Sequence, residues 1–164
     1  MMQASGWRWL PVTVLVIAID QFTKLLVVHH MALYGSVKVL PVLDISLRYN
    51  KGAAFSFLED ASGWQRWFFT ALALAVSGVI LVWMRRLKSD PQWLLSLSLA
   101  FILAGALGNV IDRLRLGHVI DFVVAHWHRA EFPAFNVADA SITIGAALLL
   151  LDALLESQRA AEKS

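Results

Sequence analysis

The sequence predicts an α-helical integral membrane protein, with four transmembrane helices and a small extracytoplasmic β-sheet between the first and second spans. Three observations carry that prediction. Apolar residues fill 59% of the 164 positions and charged residues only 16%, whereas a soluble domain carries about a quarter charged residues. Four apolar stretches approach the roughly 20 residues that a helix needs to cross the hydrocarbon of a bilayer. The connection between the first two is long and is patterned as strand. The chain reads as a single membrane-embedded domain, residues 1–164, with no internal repeat.

The spans run from about Leu10 to Val28, from Trp64 to Trp83, from Trp93 to about Val110, and from about Val137 to Leu155. Trp7, Trp9, Trp64, Trp67, Trp83 and Trp93 fall at or near their ends, as an interfacial aromatic belt requires. The first stretch reads as a retained span rather than a cleaved signal peptide. Asp20 and Lys24 interrupt its end, and no small-residue cleavage site follows. Ala104 and Gly108 are four apart, as are Ala71 and Ala75, so each pair offers a face where a second helix can approach closely.

The loop from about residue 29 to 63 far exceeds the roughly 2–8 residues that usually join helices in a bundle. Within it Leu43, Ile45, Leu47 and Tyr49 alternate with Asp44, Ser46, Arg48 and Asn50, the period of a half-exposed strand. Val37 to Leu40 is its expected hairpin partner, with Pro41 near the turn. Asn50-Lys51-Gly52 reads as a second turn, leading into Ala53 to Leu58. Four crossings put both termini on one side. The dense Arg85-Arg86-x-Lys88 cluster favours the cytoplasm for that side.

Composition also excludes. There is no cysteine, hence no disulfide, thiol nucleophile or cysteine-bound metal. A net charge of +2 without a basic stripe interleaved with aromatics does not describe a nucleic-acid binder. His126-x-His128 lacks the third ligand that a metal site needs. No cofactor or metal is therefore expected. Ser141 lies outside any nucleophile elbow, which disfavours a serine hydrolase.

What remains are ionisable residues where a bilayer makes them costly. A charge at the bilayer centre costs about 2.5–3.5 kcal/mol on insertion scales. Yet Asp20, Lys24, Asp112, Arg113, Asp121 and Asp139 sit at or close to span ends, all towards the face that carries the long loop. Asp20 and Lys24, four apart, suit an ion pair on one helix face. Asp112 and Arg113 are adjacent, point in different directions and need separate partners. Asp121 and Asp139 are the pair suited to acid–base chemistry. Two carboxyl groups in a partly desolvated site share a proton, so one can take a proton from water while the other gives one to a carbonyl oxygen. The spacing alone leaves open whether the two meet. An ion-coupled transporter also keeps carboxylates inside a bundle, but would usually show repeats or helices broken near the midplane.

The motifs resemble those of the bacterial lipoprotein signal peptidases, also called signal peptidase II. Ile19-Asp20-Gln21-Phe22-Thr23-Lys24 is similar to their first motif, and Tyr49-Asn50-Lys51-Gly52-Ala53-Ala54-Phe55-Ser56-Phe57 to their second. Gly105-Ala106-Leu107-Gly108-Asn109, followed by Asp112-Arg113, resembles the third. Gly117-His118-Val119-Ile120-Asp121-Phe122 and Phe135-Asn136-Val137-Ala138-Asp139 resemble the last two. The resemblance implies an aspartic endopeptidase that removes the signal peptide from diacylglyceryl-modified prolipoproteins, before the lipidated cysteine, in contact with membrane lipid. It implies a bacterial inner-membrane location, cytoplasmic termini, a site near the periplasmic face and inhibition by globomycin. Asp121 and Asp139 become the catalytic dyad. Asn50, Asn109, Arg113 and Asn136 orient substrate and dyad. Asp20, Lys24 and Asp112 support them, and Gly52, Gly105 and Gly108 allow close packing. The loop's excess length, its period-two strand and the small Gly52-Ala53-Ala54 stretch suggest separately that Asn50 and the Tyr49–Phe57 segment close over the bound substrate.

Overall fold

The computed structural model describes residues 5–52, 63–88, 91–127 and 130–162. The expected stretch from Ala53 to Leu58, with most of the proposed cover over the substrate, lies outside them, as does His128. Four helices are long and apolar enough to cross a membrane: α1 (Leu10–His30), α2 (Trp64–Arg86), α3 (Trp93–Leu116) and α4 (Val137–Ala161). Each continues past the end expected from hydropathy alone, because polar residues can extend a helix once neighbours satisfy them. In α3 the extension carries Asp112 and Arg113 into the last turns. The helix stops at Gly117, whose left-handed φ of 83° lets its N–H cap the Arg113 carbonyl at 3.2 Å.

The central helix is α3, which packs against all three others. Lipid tails are as apolar as leucine, so close backbone approach and interhelical hydrogen bonds must hold such a bundle. Both occur. Thr13 Oγ1 of α1 donates to the Ala100 carbonyl at 3.0 Å, and Ser141 Oγ of α4 donates to the Phe101 carbonyl at 2.6 Å. Gly105 lies so close to α4 that a Cβ there would overlap the Ala138 carbonyl, and one at Gly108 would lie 2.9 Å from Asp20 Oδ2. The Ala104–Gly108 face is therefore an interface. Ala71 and Ala75 are not: both are exposed on the outer side of α2. That helix instead buries Thr70, Ser77, Ile80 and Met84, because the bulkier side chains at those positions fill its contact with α3 and leave the alanines facing lipid.

The loop forms the hairpin that its period of two implies, but the alternation is broken in β2, where Ser46 and Leu47 are both buried and Tyr49 is exposed. Strands β1 (Ser36–Leu40) and β2 (Leu43–Asn50) form an antiparallel hairpin with Pro41 and Val42 between them. The sheet does not end there. Val119–Trp127 forms β3 along the free edge of β2, and the two-residue β4 (Ala130–Glu131) adds to its other side. The connection between α3 and α4 thus completes a sheet begun between α1 and α2. Leu47, Ile120 and Phe122 pack beneath it against Val27, Met31 and Val137. At the far end of the bundle, Ile80, Met84, Leu87, Leu95, Leu99, Ala100 and Leu103 form the other apolar core. Along α1 and α3, the polar residues lie between these two clusters.

Gly105→Ala should lower the thermal unfolding midpoint of the detergent-solubilised protein, by the equivalent of about 1–3 kcal/mol for an overpacked contact. An unchanged midpoint would mean that α3 and α4 part without cost at this crossing.

Candidate active site

Asp121 lies on β3, and the register of β2 decides what stands beside it. Ile45 pairs with Val123 and Arg48 with Asp121, so Ser46 and Leu47 together oppose Phe122. This is a β-bulge, one extra residue in β2. Directly opposed residues share a face of the sheet, so the bulge changes which parity of β2 faces Asp121. Upstream, Leu43 and Ile45 share that face; downstream, Arg48 and Asn50 do. Without it Tyr49 would occupy that face. With it, Asn50 Nδ2 donates to Asp121 Oδ2 at 2.9 Å. Asn50 Oδ1 accepts from the Gly52 N–H at 2.8 Å, which fixes the orientation of the amide. Gly52 has a φ of 107°, a conformation that glycine alone adopts readily.

The second carboxylate is placed by helix capping. Val123 and Phe135 exchange backbone hydrogen bonds of 2.8 and 3.0 Å, so the chain enters α4 alongside β3. Asn136 is the N-cap. Its Oδ1 accepts from the Asp139 N–H at 2.9 Å, and Asp139 Oδ2 accepts from the Asn136 N–H at 3.2 Å, a reciprocal capping box. The Asn136 amide then reaches across to Asp121, with Nδ2 at 2.7 Å from Oδ1. A single residue therefore holds one carboxylate with its backbone and the other with its side chain. Asn109 Nδ2 donates to Asp139 Oδ1 at 2.8 Å, and Asn109 Oδ1 accepts from Asn136 Nδ2 at 3.2 Å.

Behind Asn109 lies a buried ion cluster. Lys24 Nζ donates to Asn109 Oδ1 at 3.2 Å and pairs with Asp20 and Asp112 at 2.8 Å each. All three charged side chains are at most 2% exposed. The i,i+4 pair in α1 is as its spacing predicts, and Asp112 is the additional partner. The carboxylates have further duties. Asp20 Oδ1 accepts from the Ala138 N–H at 2.9 Å, and Asp112 Oδ2 from the Ile120 N–H at 3.2 Å. Gln21, which the sequence reading passed over, bridges the pair from the side, donating to Asp112 Oδ1 at 2.9 Å and Asp20 Oδ2 at 3.1 Å. Its only sequence signal is an amide inside an apolar span, next to Asp20.

Arg113 stands apart from this cluster. Its guanidinium lies 5.5 Å from the centre of the Phe69 ring and within electrostatic reach of Asp139, Asp121 and Asp112. Among the described residues it forms no hydrogen bond or ion pair, so none of them occupies its planar donor fork. His126 is engaged elsewhere, 3.3 Å from Asp44 on the sheet. All twelve residues singled out in the sequence therefore converge here, with Gly105 and Gly108 contributing close helix approach rather than polar groups.

Burial pushes the Asp121 carboxyl up to about 6, and the negative charge of Asp139 adds to the effect, while hydrogen bonds from Asn50 and Asn136 oppose it. Two carboxyl groups bridged by one asparagine, one of them holding its proton to higher pH than an ordinary carboxyl group, can activate water and protonate a carbonyl without a metal or a covalent intermediate. Together with four membrane spans, this defines a membrane-embedded aspartic peptidase. The family model described as Signal peptidase (SPase) II matches residues 12–155. The lipoprotein signal peptidase of Pseudomonas fluorescens is 50% identical over 159 residues, covering 96% of this chain and 91% of that protein. That of a Pseudomonas aeruginosa strain is 49% identical over 156 residues, covering 94% and 91%. A bacterial membrane enzyme solved by the in meso method at 2.3 Å superposes with a TM-score of 0.81 at 30% identity, over 96% of this chain and 94% of that one. A second, at 1.9 Å, gives 0.79 at 28% identity over 94% and 97%. The chain belongs to the signal peptidase II family.

The Asn50 hydrogen bond favours the ionised form of Asp121, so Asn50→Ala should let the acid form persist to higher pH. The alkaline limb of a kcat/KM profile should accordingly move upward. A shift to lower pH would show that Asn50 does not act on this carboxyl in the assumed sense.

Proposed function

We propose that this chain removes the signal peptide from diacylglyceryl-modified prolipoproteins, cutting before the lipidated cysteine, with Asp121 and Asp139 as its catalytic dyad. The observation that carries the assignment of the dyad is the bridging of both carboxyl groups by Asn136. The substrate class rests on membership of the family and on the names of its curated relatives.

In this reading the pair holds one proton between its members. Asp121 is buried, whereas Asp139 is only partly so. Asp139 accordingly takes a proton from the attacking water, and Asp121 supplies one to the carbonyl oxygen. Collapse of the tetrahedral intermediate breaks the C–N bond, and a carboxyl proton passes to the leaving amine. Asn50, Asn109 and Asn136 fix the carboxyl groups, and the free fork of Arg113 holds the substrate backbone. The site works from the chain's own acids and takes no metal or cofactor. An ion pathway is a poorer reading, because Lys24, Asn109, Asn136 and the two carboxyl groups hydrogen-bond to one another in a fixed chain.

The same reading places the protein in the bacterial inner membrane, as a single peptidase domain with cytoplasmic termini and a periplasmic sheet. A lipid-anchored substrate keeps its acyl chains in the bilayer, so its scissile bond must be met at the membrane surface. The cyclic peptide globomycin, as an occupant of the same groove, should inhibit.

Purified protein in detergent, given a lipidated prolipoprotein, should release the signal peptide, and globomycin should stop it. Asp121→Asn and Asp139→Asn should each lose at least about 10²–10⁴-fold in kcat, the usual worth of a general acid or base, while remaining folded. Near-parental cleavage by either variant would remove that residue from the mechanism. The orientation is testable because the chain has no native cysteine. A cysteine at Lys51 should be labelled from outside intact cells and one at Arg85 protected; the opposite pattern would invert the topology.

A further inference from the structure

The ring beneath Arg113 has a second neighbour. Phe69 lies in the first turns of α2, and a Cβ built on Gly52 would stand 3.1 and 3.2 Å from its Cδ2 and Cε2, and 3.4 Å from Gln65 Cβ. Gln65 and Phe69 are four apart and so share one face of α2, the face that receives the turn after β2. Gly52 in turn holds the Asn50 amide, which donates to Asp121. One aromatic side chain thus neighbours two polar elements of the site: the guanidinium from α3 and the turn that carries Asn50. Its own orientation is set by Phe68, which meets it edge to face at 5.3 Å and 74°.

On the peptidase reading, we propose that Phe69 is a positioning residue: its ring is the shelf that keeps the Arg113 guanidinium open to substrate, beside the turn that carries Asn50. A guanidinium on an aromatic face is held by the ring quadrupole and keeps its in-plane donors free at the edges. Arg113 is within electrostatic reach of Asp139 and Asp121, so without the shelf it can fold onto those carboxylates. An arginine bound to the dyad would no longer be available to the substrate. A leucine at position 69 fills much of the space but offers no π face. A tyrosine keeps the face.

The test compares kcat/KM for a lipidated prolipoprotein in five proteins: the parent, Phe69→Leu, Phe69→Tyr, Arg113→Gln, and Phe69→Leu combined with Arg113→Gln, the last two measured against each other under single-turnover conditions. Phe69→Leu should lose about 2- to 30-fold, the span that a cation–π contact covers from exposed to desolvated sites. Phe69→Tyr should stay within about twofold of the parent. In the Arg113→Gln background the leucine should cost less than twofold beyond Arg113→Gln itself, because interacting residues fail to add in a double-mutant cycle. An equal loss in both backgrounds would make the ring mere packing, and undiminished cleavage by Phe69→Leu would leave it no role; either overturns the proposal. Should Phe69→Leu not fold, Phe69→Met carries the same comparison. An inert parent chain would remove the peptidase reading and this inference with it, whereas an active parent with an indifferent Phe69 removes this inference alone.

Discussion

The ammonium of Lys24 is the constraint from which the rest of the site follows. It is buried in a membrane span, and a buried charge persists only when it is paired and fully hydrogen-bonded. Its three donors are used up by Asp20, Asp112 and Asn109. Each acceptor then fixes something else. Asp20 binds the first turn of α4 through the Ala138 N–H, and Asp112 binds the start of β3 through the Ile120 N–H. The carbonyl of Asn109 is claimed by Lys24 and Asn136, so its amide nitrogen must face Asp139. One lysine therefore joins α1 and α3 directly, and α4 and β3 at one remove. Removing one partner of such a cluster leaves uncompensated charge, at a cost of about 3–5 kcal/mol. The arrangement holds position more than it adds stability.

The two carboxyl groups are held by two local devices, a β-bulge and a helix cap. The bulge in β2 shifts Asn50 to the face of Asp121, and the capping box at the head of α4 ties Asp139 to Asn136. Neither depends on a long flexible side chain. Asparagine and aspartate have few rotatable bonds, so little entropy is lost in fixing them. Backbone geometry does the rest. The Asn136 amide has two hydrogens and three oxygens within reach: Asn109 Oδ1, Ile120 O and Asp121 Oδ1. That surplus of acceptors keeps the amide pinned between the two carboxyl groups.

What could be read without coordinates follows from the range of each signal. The spans, the hairpin and the Asp20–Lys24 pair are set by periods of a few residues, and all are visible in the chain. The polar residues of the site stood out because lipid makes them costly. The third strand was not visible. Val119 to Trp127 is mostly apolar, with Asp121 and His126 on opposite parities, so it presents no clean alternation. Its partner β2 lies some seventy residues earlier, as the pairing of Arg48 with Asp121 shows. The bulge was equally hidden, because it is defined only by that pairing. The capping box could have been found, since Asn136-x-x-Asp139 ahead of an apolar run carries the right spacing. Ala71 and Ala75 misled because spacing shows that two residues share a face but not which face is covered. Phe69 gave no signal at all: one more aromatic residue in an apolar span is indistinguishable from lipid-facing bulk until Arg113 is seen above it.

A peptidase in a bilayer must solve a conflict between its two solvents. Hydrolysis needs water at the carbonyl carbon, but a carboxyl group that holds its proton above the usual carboxylate range needs dry surroundings. The fold separates these demands within one pair. Asp121 is on a central strand, sealed from below by Leu47, Ile120 and Phe122 and 2% exposed. Desolvation dominates its titration. Asp139 is on the first turn of α4, partly accessible, with its Oδ2 accepting from the Asn136 N–H. The apolar lipid-facing sides of α1, α2 and α4 impose the depth of the whole assembly, since they fix the bundle in the hydrocarbon and leave the sheet at its surface. On the proposed function that surface passes the head of α4, and a substrate held by its own acyl chains would arrive at the same depth.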